Sequence, residues 1–331
     1  MAEDALSAKN NRIVTYLRLS VTDRCNLRCR YCMPQEGVSF VPHERILTYE
    51  EMLRIVKVAV HHGIRKVRIT GGEPLVRKGL VPFLKALAQA QGLDEITLTT
   101  NGVLLEEFAS DLKAAGIKRI NISLDSLKPE RFQLITGRDY FHKVMAGIEA
   151  AQKVGFSPIK INVVVMRGVN EDEILDFARL AVESPLCVRF IEFMPVGREN
   201  GWRPEAFVSI EEMKRIIYPF RPLAALETGR LDGPALRYRP GEGAGEIGFI
   251  GALSNHFCDR CNRLRLTAEG CLRGCLFSDQ EIDLKGPLRN GADDGRLLDL
   301  IRLAVSTKPD NHLVLHRGPR KCARIMSSIG G

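Results

Sequence analysis

Three cysteines near the start of the chain have the type and the spacing of a metal site. Cys25, Cys29 and Cys32 follow the pattern Cys-x3-Cys-x2-Cys. A closed iron–sulfur cluster or a structural zinc site takes four protein ligands, whereas a four-iron cluster held by three cysteines keeps one iron open to a small molecule. The triplet therefore predicts a cluster with an open coordination position. A zinc knuckle completed by His43 is the alternative that these residues leave open.

A second group of cysteines lies in the last third of the chain, with two arginines beside it. Its members are Cys258, Cys261, Cys271 and Cys275. Four cysteines at this spacing suit a zinc ribbon as well as a second cluster. Arg263 and Arg265 would point to one side of an extended segment, because side chains in a strand alternate between its faces. Two guanidiniums beside a metal centre predict an anion clamp, and a solvated strand face is the alternative.

The composition fits a large enzyme of a reducing compartment. The chain has 331 residues, of which 45% are hydrophobic, and no apolar run approaches the roughly 18 residues of a membrane span. Seven of the nine cysteines fall in the two groups, which argues against a disulfide framework and predicts a cytoplasmic location. A net charge of +8 suits a small polyphosphate substrate as well as nucleic acid. Aromatic residues are only 6%, and an interleaved nucleic-acid surface is not evident.

The elements that must position these residues alternate between short β-rich segments and helical patterns. The predicted strands are residues 16–21, 67–70, 96–100, 119–124, 159–166 and 187–193. The predicted helices are residues 49–62, 80–90, 104–115, 140–154 and 171–183. Thr48 and Glu51 spell a capping box, and Gly63, Gly116 and Gly155 stand where a helix-ending glycine belongs. Six such units imply a parallel sheet with right-handed crossovers.

An open doubly wound sheet and a barrel both fit this alternation, but the positions of the polar residues favour a barrel-like site. Cys25 follows the first strand, Gly71-Gly72-Glu73-Pro74 the second, Asn101-Gly102 the third and Asp125 the fourth. Parallel α/β folds place active sites at the carboxyl ends of their strands. Residues 196–247 are rich in Pro, Gly and Arg, and we expect short or irregular elements there, over the barrel opening.

At this point the chain resembles the radical S-adenosylmethionine (SAM) superfamily. The cysteine triplet with Tyr31 before its last member is similar to the signature of that superfamily, and residues 71–74 resemble its SAM-binding turn. The resemblance implies an α/β fold, an incomplete (β/α)6 TIM-like barrel whose opening a C-terminal region closes. It divides the chain into an N-terminal extension (1–15), the partial barrel (16–195) and a C-terminal region with the second cluster (196–331). A glycine pair would let backbone carbonyls approach the SAM ammonium, and Glu73 would add acceptor charge.

The two cysteine groups and the terminal Gly330-Gly331 narrow the resemblance to the GTP 3′,8-cyclases of molybdenum-cofactor biosynthesis. It implies two [4Fe-4S] clusters, with SAM cleaved to methionine and a 5′-deoxyadenosyl radical at the first. GTP would be cyclised to (8S)-3′,8-cyclo-7,8-dihydroguanosine 5′-triphosphate. An electron donor such as flavodoxin or ferredoxin and a downstream cyclic pyranopterin monophosphate synthase are the implied partners, with no membrane or nucleic acid. The resemblance also allows a homodimer, and the tail would insert near the substrate.

The same resemblance assigns roles to individual residues. The implied cluster ligands are Cys25, Cys29 and Cys32 for the first cluster and Cys258, Cys261 and Cys275 for the second. The implied SAM contacts are Tyr31, Gly72, Ser123 and Met194. The implied GTP contacts are Arg18, Arg68, Thr99, Lys160, Arg189, Arg263 and Arg265, of which the last two are also counted as catalytic together with the first cysteine triplet.

Several alternatives remain open at the level of sequence. Cys271 departs from the family pattern and is either a spare thiol or a fourth ligand of the second cluster. Ser123 could satisfy a backbone group, and Met194 could belong to the core. A peptide-modifying radical SAM enzyme would be expected to carry a leader-binding module ahead of residue 15, where only a short polar stretch stands. A DNA-binding protein with structural zinc would be colourless and would bind with a steep salt dependence.

Overall fold

A computed structural model describes residues 6–8, 12–34, 38–197, 200–227, 229, 233–311 and 322–330. The strands in this part of the chain are β1 (Ser7–Ala8), β2 (Arg12–Ile13), β3 (Tyr16–Ser20), β4 (Lys66–Thr70), β5 (Glu95–Thr100), β6 (Arg119–Ser123), β7 (Ile159–Val165), β8 (Leu186–Glu192), β9 (Leu223–Leu226), β10 (Leu236–Pro240), β11 (Glu246–Ile250), β12 (Arg263–Leu266), β13 (Cys271–Arg273) and β14 (Ile282–Asp283). The helices are α1 (Tyr49–His61), α2 (Leu80–Ala88), α3 (Leu105–Ala114), α4 (Pro129–Thr136), α5 (Phe141–Lys153), α6 (Ile174–Glu183), α7 (Ile210–Ile217), α8 (Lys285–Arg289) and α9 (Asp294–Ser306).

The centre of the fold is a run of six parallel strands, β3 to β8, which are neighbours in chain order. Helices connect these strands, which confirms the predicted α/β fold. All six predicted strands are present. The five predicted helices are also present, and the Thr48–Glu51 capping box forms at the start of α1. The sequence pattern did not predict α4. This helix is only eight residues long, too short for an apolar period to stand out.

The C-terminal region extends the central sheet at both edges. Strand β12 pairs in parallel with β3, and β11 pairs in parallel with β8. The twelve strands from β14 to β9 thereby form one continuous sheet. The expectation of short or irregular elements in residues 196–247 agrees with the described residues, which form the short helix α7 and the short strands β9 and β10, with β11 beginning at the end of this stretch. Strand β10 pairs antiparallel with β9 and β11, its neighbours in the chain. Strand β11 joins this group to the central sheet through β8, a partner about 60 residues away that a local pattern does not reveal.

Alternation along the central strands separates the core from the site. Leu17, Leu19, Ile69, Leu98, Ile122 and Ile161 are buried in the main apolar core. The residues between them are polar, and the register places Arg265, Arg18 and Arg68 side by side on β12, β3 and β4. Because side chains of a strand alternate between faces, one face of the sheet packs against helices while the other presents these polar side chains. In the described residues, no helix has the length and apolar character needed to cross a membrane.

Candidate active site

A cavity of about 300 Å³ lies among the central strands and the C-terminal segments. Every implied cluster ligand, SAM contact and GTP contact named above lines it, with the exceptions of Lys160 and Glu73. These lining residues are Arg18, Cys25, Cys29, Tyr31, Cys32, Arg68, Gly72, Thr99, Ser123, Arg189, Met194, Cys258, Cys261, Arg263, Arg265 and Cys275. The fold therefore brings both cysteine groups, which are more than 200 positions apart in the chain, to one space.

The first cysteine triplet lies in the loop that follows β3. Backbone N–H groups of Cys32 and Met33 both donate to the carbonyl of Cys29, at 2.9 and 3.0 Å, which folds the loop into a tight turn. Burial raises the pKa of Cys25 to about 11 and that of Cys32 to about 12. The protein alone therefore keeps these thiols neutral, and a cationic centre is needed to make them thiolates.

A mononuclear zinc site does not fit this geometry. Among the described residues, no three His, Cys, Asp or Glu side chains stand close enough to hold one metal ion. His43, the candidate fourth zinc ligand, is exposed and is absent from the cavity wall. A four-iron cluster is larger than one ion and spreads its cysteine ligands more widely, and Cys25, Cys29 and Cys32 all line the cavity.

The glycine pair after β4 packs directly against the cysteine loop. A Cβ at Gly71 would lie 2.7 Å from the carbonyl oxygen of Thr22, and one at Gly72 would lie 2.3 Å from that of Arg24. The N–H of Gly72 donates to the Thr22 carbonyl at 2.7 Å. The missing side chains thus allow two backbones to touch, which fixes the cysteine loop over the end of β4.

Glu73 has a different place from the one that the sequence suggested. Its carboxylate is fully buried, so it is not available to a SAM ammonium. It accepts hydrogen bonds from the N–H groups of Leu75 and Asn101, at 3.0 and 2.6 Å, and from the Thr100 hydroxyl at 2.8 Å. Burial raises the pKa of Glu73 to about 7. Glu73 therefore ties the ends of β4 and β5 together beneath the site.

The second cysteine set faces the same cavity from the C-terminal segments. Burial raises the pKa of Cys261, but the charges of Arg263 and Lys308 outweigh this and lower the pKa to about 6. This end of the cavity thus favours a thiolate before any metal is added. Cys271 lies on β13, opposite Asp283, and does not line the cavity. The geometry therefore leaves three cysteines, and not four, for a second metal centre.

A band of cations lines the same cavity as the two cysteine sets. Arg68 donates to the Thr99 hydroxyl at 3.2 Å, and its Nε donates to the Tyr16 hydroxyl. Arg189 donates to the Asn162 side chain at 2.6 Å. Burial would raise the pKa of Tyr16, but the surrounding cations, Arg68 first, lower it to about 7. So many buried positive charges in one cavity require an anion.

The C-terminal tail enters the cavity. Met326 and Ser327 belong to its wall, and Ser327 is close enough to Cys32 to hydrogen-bond its sulfur through its backbone. The Gly330 carbonyl accepts hydrogen bonds from Arg18 and from Arg265, the latter at 3.3 Å. Two of the arginines expected to contact GTP thus hold the tail. Gly331, the last residue of the predicted insertion, lies outside the described residues.

The tail is anchored where it leaves the surface. Arg324 forms ion pairs with Glu269 and Glu281, the latter at 2.7 Å. Just before it, Cys322 is buried and accepts a hydrogen bond from the fully buried Arg273 at 3.1 Å. These contacts give Cys322, which had no role at the level of sequence, a structural one.

Lys160 is the other predicted site residue that the cavity does not include. It is buried on β7, paired in register with Cys187 of β8. Burial and the neighbouring charge of Arg189 lower the pKa of Lys160 to about 8. Lys160 therefore supports the cavity electrostatically from outside its wall.

Asp125 is a site residue that the role assignments omitted. Its carboxylate accepts a hydrogen bond from the Tyr31 hydroxyl at 2.7 Å and one from the Val164 N–H at 2.8 Å. Burial raises the pKa of Asp125 to about 6. The signal was present in the sequence, because Asp125 is a polar residue directly after a central strand. The residue orients Tyr31 next to the first cysteine triplet.

Comparison with protein families and curated proteins gives a consistent result. The family described as the radical SAM superfamily matches residues 19–181, and the family described as Molybdenum Cofactor Synthesis C matches residues 186–314. A GTP 3′,8-cyclase of Heliobacterium modesticaldum is 51% identical over 97% of this chain and 98% of its own length. The GTP 3′,8-cyclase of Moorella thermoacetica is 53% identical over the same shares of the two chains.

Solved structures support the fold. Streptococcus suis SuiB bound to S-adenosylmethionine aligns with a TM-score of 0.61 at 15% identity, over 96% of this chain and 78% of that one. SuiB bound to its precursor peptide SuiA aligns with a TM-score of 0.62, also at 15% identity, over 96% of this chain and 76% of that one. At this identity the likeness concerns the fold alone.

Proposed function

Because this chain belongs to the radical SAM superfamily and, within it, to the GTP 3′,8-cyclases, we propose that its central cavity is where GTP and SAM react. The protein is a radical SAM enzyme of the first step of molybdenum-cofactor biosynthesis, and its family implies a [4Fe-4S] cluster and SAM. One observation carries the proposal for the site: two cysteine triplets and a band of arginines line one cavity.

The first triplet would hold the SAM-cleaving cluster through Cys25, Cys29 and Cys32. When bound, this cluster would supply the electron that cleaves SAM into methionine and a 5′-deoxyadenosyl radical. That radical would take the 3′ hydrogen from the ribose of GTP. The turn at Gly72 and the side chains of Tyr31, Ser123 and Met194 would hold SAM, since all of them line this end of the cavity.

The second triplet would hold a second [4Fe-4S] cluster through Cys258, Cys261 and Cys275. With only these three protein ligands, such a cluster would have one iron available to the guanine ring of GTP. The geometry fits, because Cys271 is turned away and cations favour the thiolate of Cys261.

The arginine band would bind the triphosphate. Arg68, Arg189, Arg263 and Thr99 line the cavity that would hold both clusters, and a guanidinium can bind two phosphate oxygens at once. Arg18 and Arg265 would connect substrate and tail, since both already bind the Gly330 carbonyl. Lys160, which lies outside the cavity wall beside Arg189, would add positive charge to the electrostatic field of the triphosphate site.

We also propose the partners that this chemistry requires. A one-electron donor such as flavodoxin or ferredoxin would reduce the first cluster, and a cyclic pyranopterin monophosphate synthase would consume the product. A homodimer is compatible with these roles. The division into an N-terminal extension (1–15), a partial barrel (16–195) and a C-terminal region (196–331) stays part of this proposal.

The decisive experiment is anaerobic reconstitution followed by iron analysis and turnover of GTP with SAM and a reductant. We expect about eight irons per chain, as two four-iron clusters require, and equal amounts of 5′-deoxyadenosine and cyclised nucleotide. GTP should bind far more tightly than guanosine. Arg189→Ala should weaken GTP binding by about 1.5–3 kcal/mol, the scale of a hydrogen bond to a charged group.

The matched control is Arg179→Ala, because Arg179 forms an exposed pair with Asp176 on α6. It should bind GTP like the unmodified protein. Equal affinities for GTP and guanosine, or a loss with Arg179→Ala as large as with Arg189→Ala, would refute the triphosphate site.

A further inference from the structure

A buried lysine lies behind the second cysteine set, and the proposed reaction gives it no role. Lys308 directly follows the last turn of α9 and is 2% exposed. Its ammonium donates to the Cys261 sulfur at 3.4 Å, to the Arg263 carbonyl at 2.9 Å and to the Gly274 carbonyl at 2.6 Å. A lysine is almost never buried this deeply without partners. Its three N–H groups are all used here, on the segments that carry Cys261 and Cys275.

Close packing brings α9 to these segments. A Cβ at Gly274 would lie 3.1 Å from the Ala304 carbonyl oxygen and 3.2 Å from the Lys308 Cα. The bare backbone of Gly274, next to Cys275 in sequence, therefore lets the end of the helix approach. A larger residue would push Lys308 away from its acceptors.

Cys258, the remaining cysteine of the set, is connected to the segment that contains Lys308. Arg12, on β2, donates to the Cys258 carbonyl at 2.7 Å and to the Pro309 carbonyl at 3.0 Å. Arg12 is also buried. All three cysteine-bearing segments are thus tied to residues 308 and 309 by two cations.

We propose that Lys308 is a positioning residue of the second metal centre, which fixes Cys261 and Cys275 at cluster spacing and favours the reduced state of the cluster. This inference rests on the second cluster proposed above. A reduced cluster carries one more negative charge than an oxidised one. A cation that hydrogen-bonds a ligand sulfur therefore stabilises the reduced form and raises the reduction potential.

The test uses the full chain with Cys25, Cys29 and Cys32 changed to Ala, so that only the second cluster is left. Iron and sulfide content and an EPR-monitored redox titration are compared with and without Lys308→Met. Methionine has a similar volume but neither charge nor N–H donors. We expect reduction to become at least tenfold less favourable, which is about 59 mV for a one-electron couple, or the cluster to be lost.

Two further variants, one control and one conservative replacement, help to interpret the result for Lys308→Met. Lys113→Met removes a lysine that donates to the Gly155 carbonyl on the exposed side of α3, and it should leave iron content and potential unchanged. Lys308→Gln has a shorter, uncharged side chain that still carries N–H donors. It should shift the reduction potential in the same direction as Lys308→Met, but by less.

Three results would count against the proposals. If the background variant binds no iron, the second cluster itself is refuted. If it binds iron and Lys308→Met keeps both the iron and the potential, the role of Lys308 is refuted. If Lys308→Met in the otherwise unmodified chain also strips the first cluster, Lys308 supports the whole fold and not the second centre.

Discussion

Arg18 at the third position of its strand donates two hydrogen bonds to the carbonyl oxygen of Gly330, from Nε at 3.2 Å and from Nη2 at 2.9 Å. The two residues are 312 positions apart in the chain. This contact holds the C-terminal tail at the cavity that we propose as the active site. Gly330 has φ of 75°, and a Cβ there would lie 2.4 Å from the Thr70 hydroxyl oxygen.

Replacement of Gly330 by Ala should displace the tail. The new methyl group would collide with Thr70, and the backbone would have to leave a conformation that L side chains rarely adopt. We expect cyclised product to fall at least tenfold, while both clusters and SAM cleavage stay largely intact. Deletion of Gly330 and Gly331 should have the same effect. Product, 5′-deoxyadenosine and iron are measured side by side.

Gly168→Ala is the matched control for this prediction. Gly168 has φ of 72°, but nothing lies within 4 Å of a Cβ at that position. It should retain full cyclisation. Undiminished product from the truncated enzyme would remove the tail from the mechanism, and a lower melting temperature would indicate a structural tail instead.

Cys29→Ala should abolish 5′-deoxyadenosine formation under reducing, oxygen-free conditions. Cys29 lines the cavity, and without it the first cluster would lose one of its three proposed protein ligands. Cys187→Ala, which changes a buried cysteine in β8 outside the cavity wall, should cleave SAM normally. The measurement is chromatography of the nucleoside products. Full SAM cleavage by Cys29→Ala would show that the cluster is held elsewhere.

Cys275→Ala and Cys271→Ala should behave differently. Cys275 lines the cavity, and its loss should remove one cluster together with cyclisation. Cys271 pairs with Asp283 in the β13–β14 ladder, so its replacement should keep both clusters and most activity. Iron analysis distinguishes the two variants. A loss of about four irons with Cys271→Ala would make that cysteine a fourth cluster ligand and would close the iron proposed for guanine.

Lys160→Met should stabilise the cluster-free protein near neutral pH. The folded protein lowers the pKa of Lys160 from 10.5 to about 8. The unfolded chain therefore binds more protons between these two values, and the stability of the unmodified protein rises with pH across that interval. Below pH 8 the buried charge costs up to about 3 kcal/mol, because one pKa unit corresponds to about 1.4 kcal/mol. Urea unfolding at several pH values measures this gain.

The gain from Lys160→Met should shrink between pH 8 and 10.5 and vanish above it. The same variant should bind GTP more weakly, since a positive charge beside Arg189 is lost. Lys113→Met serves as the control, because that ammonium stands on the exposed side of α3. A gain in stability that does not depend on pH would show that packing, and not the buried charge, is responsible.

The sequence by itself determined the local elements and the chemistry. The six central strands and the helices between them, except α4, follow from apolar runs, glycines and a capping box, all of which act within a few residues. The cysteine triplet and the polar residues after each strand indicated where the site lies, because parallel strands end at one edge of the sheet.

Only the tertiary structure decided which distant residues meet. The pairing of β12 with β3 places Arg265 beside Arg18, and the returning tail places Gly330 on both. The fold also buries Glu73, places Lys160 outside the cavity wall and brings Lys308 within hydrogen-bonding distance of the Cys261 sulfur. Such contacts depend on edge pairing and side-chain packing across the whole chain. They have no periodic signature in the sequence near either partner.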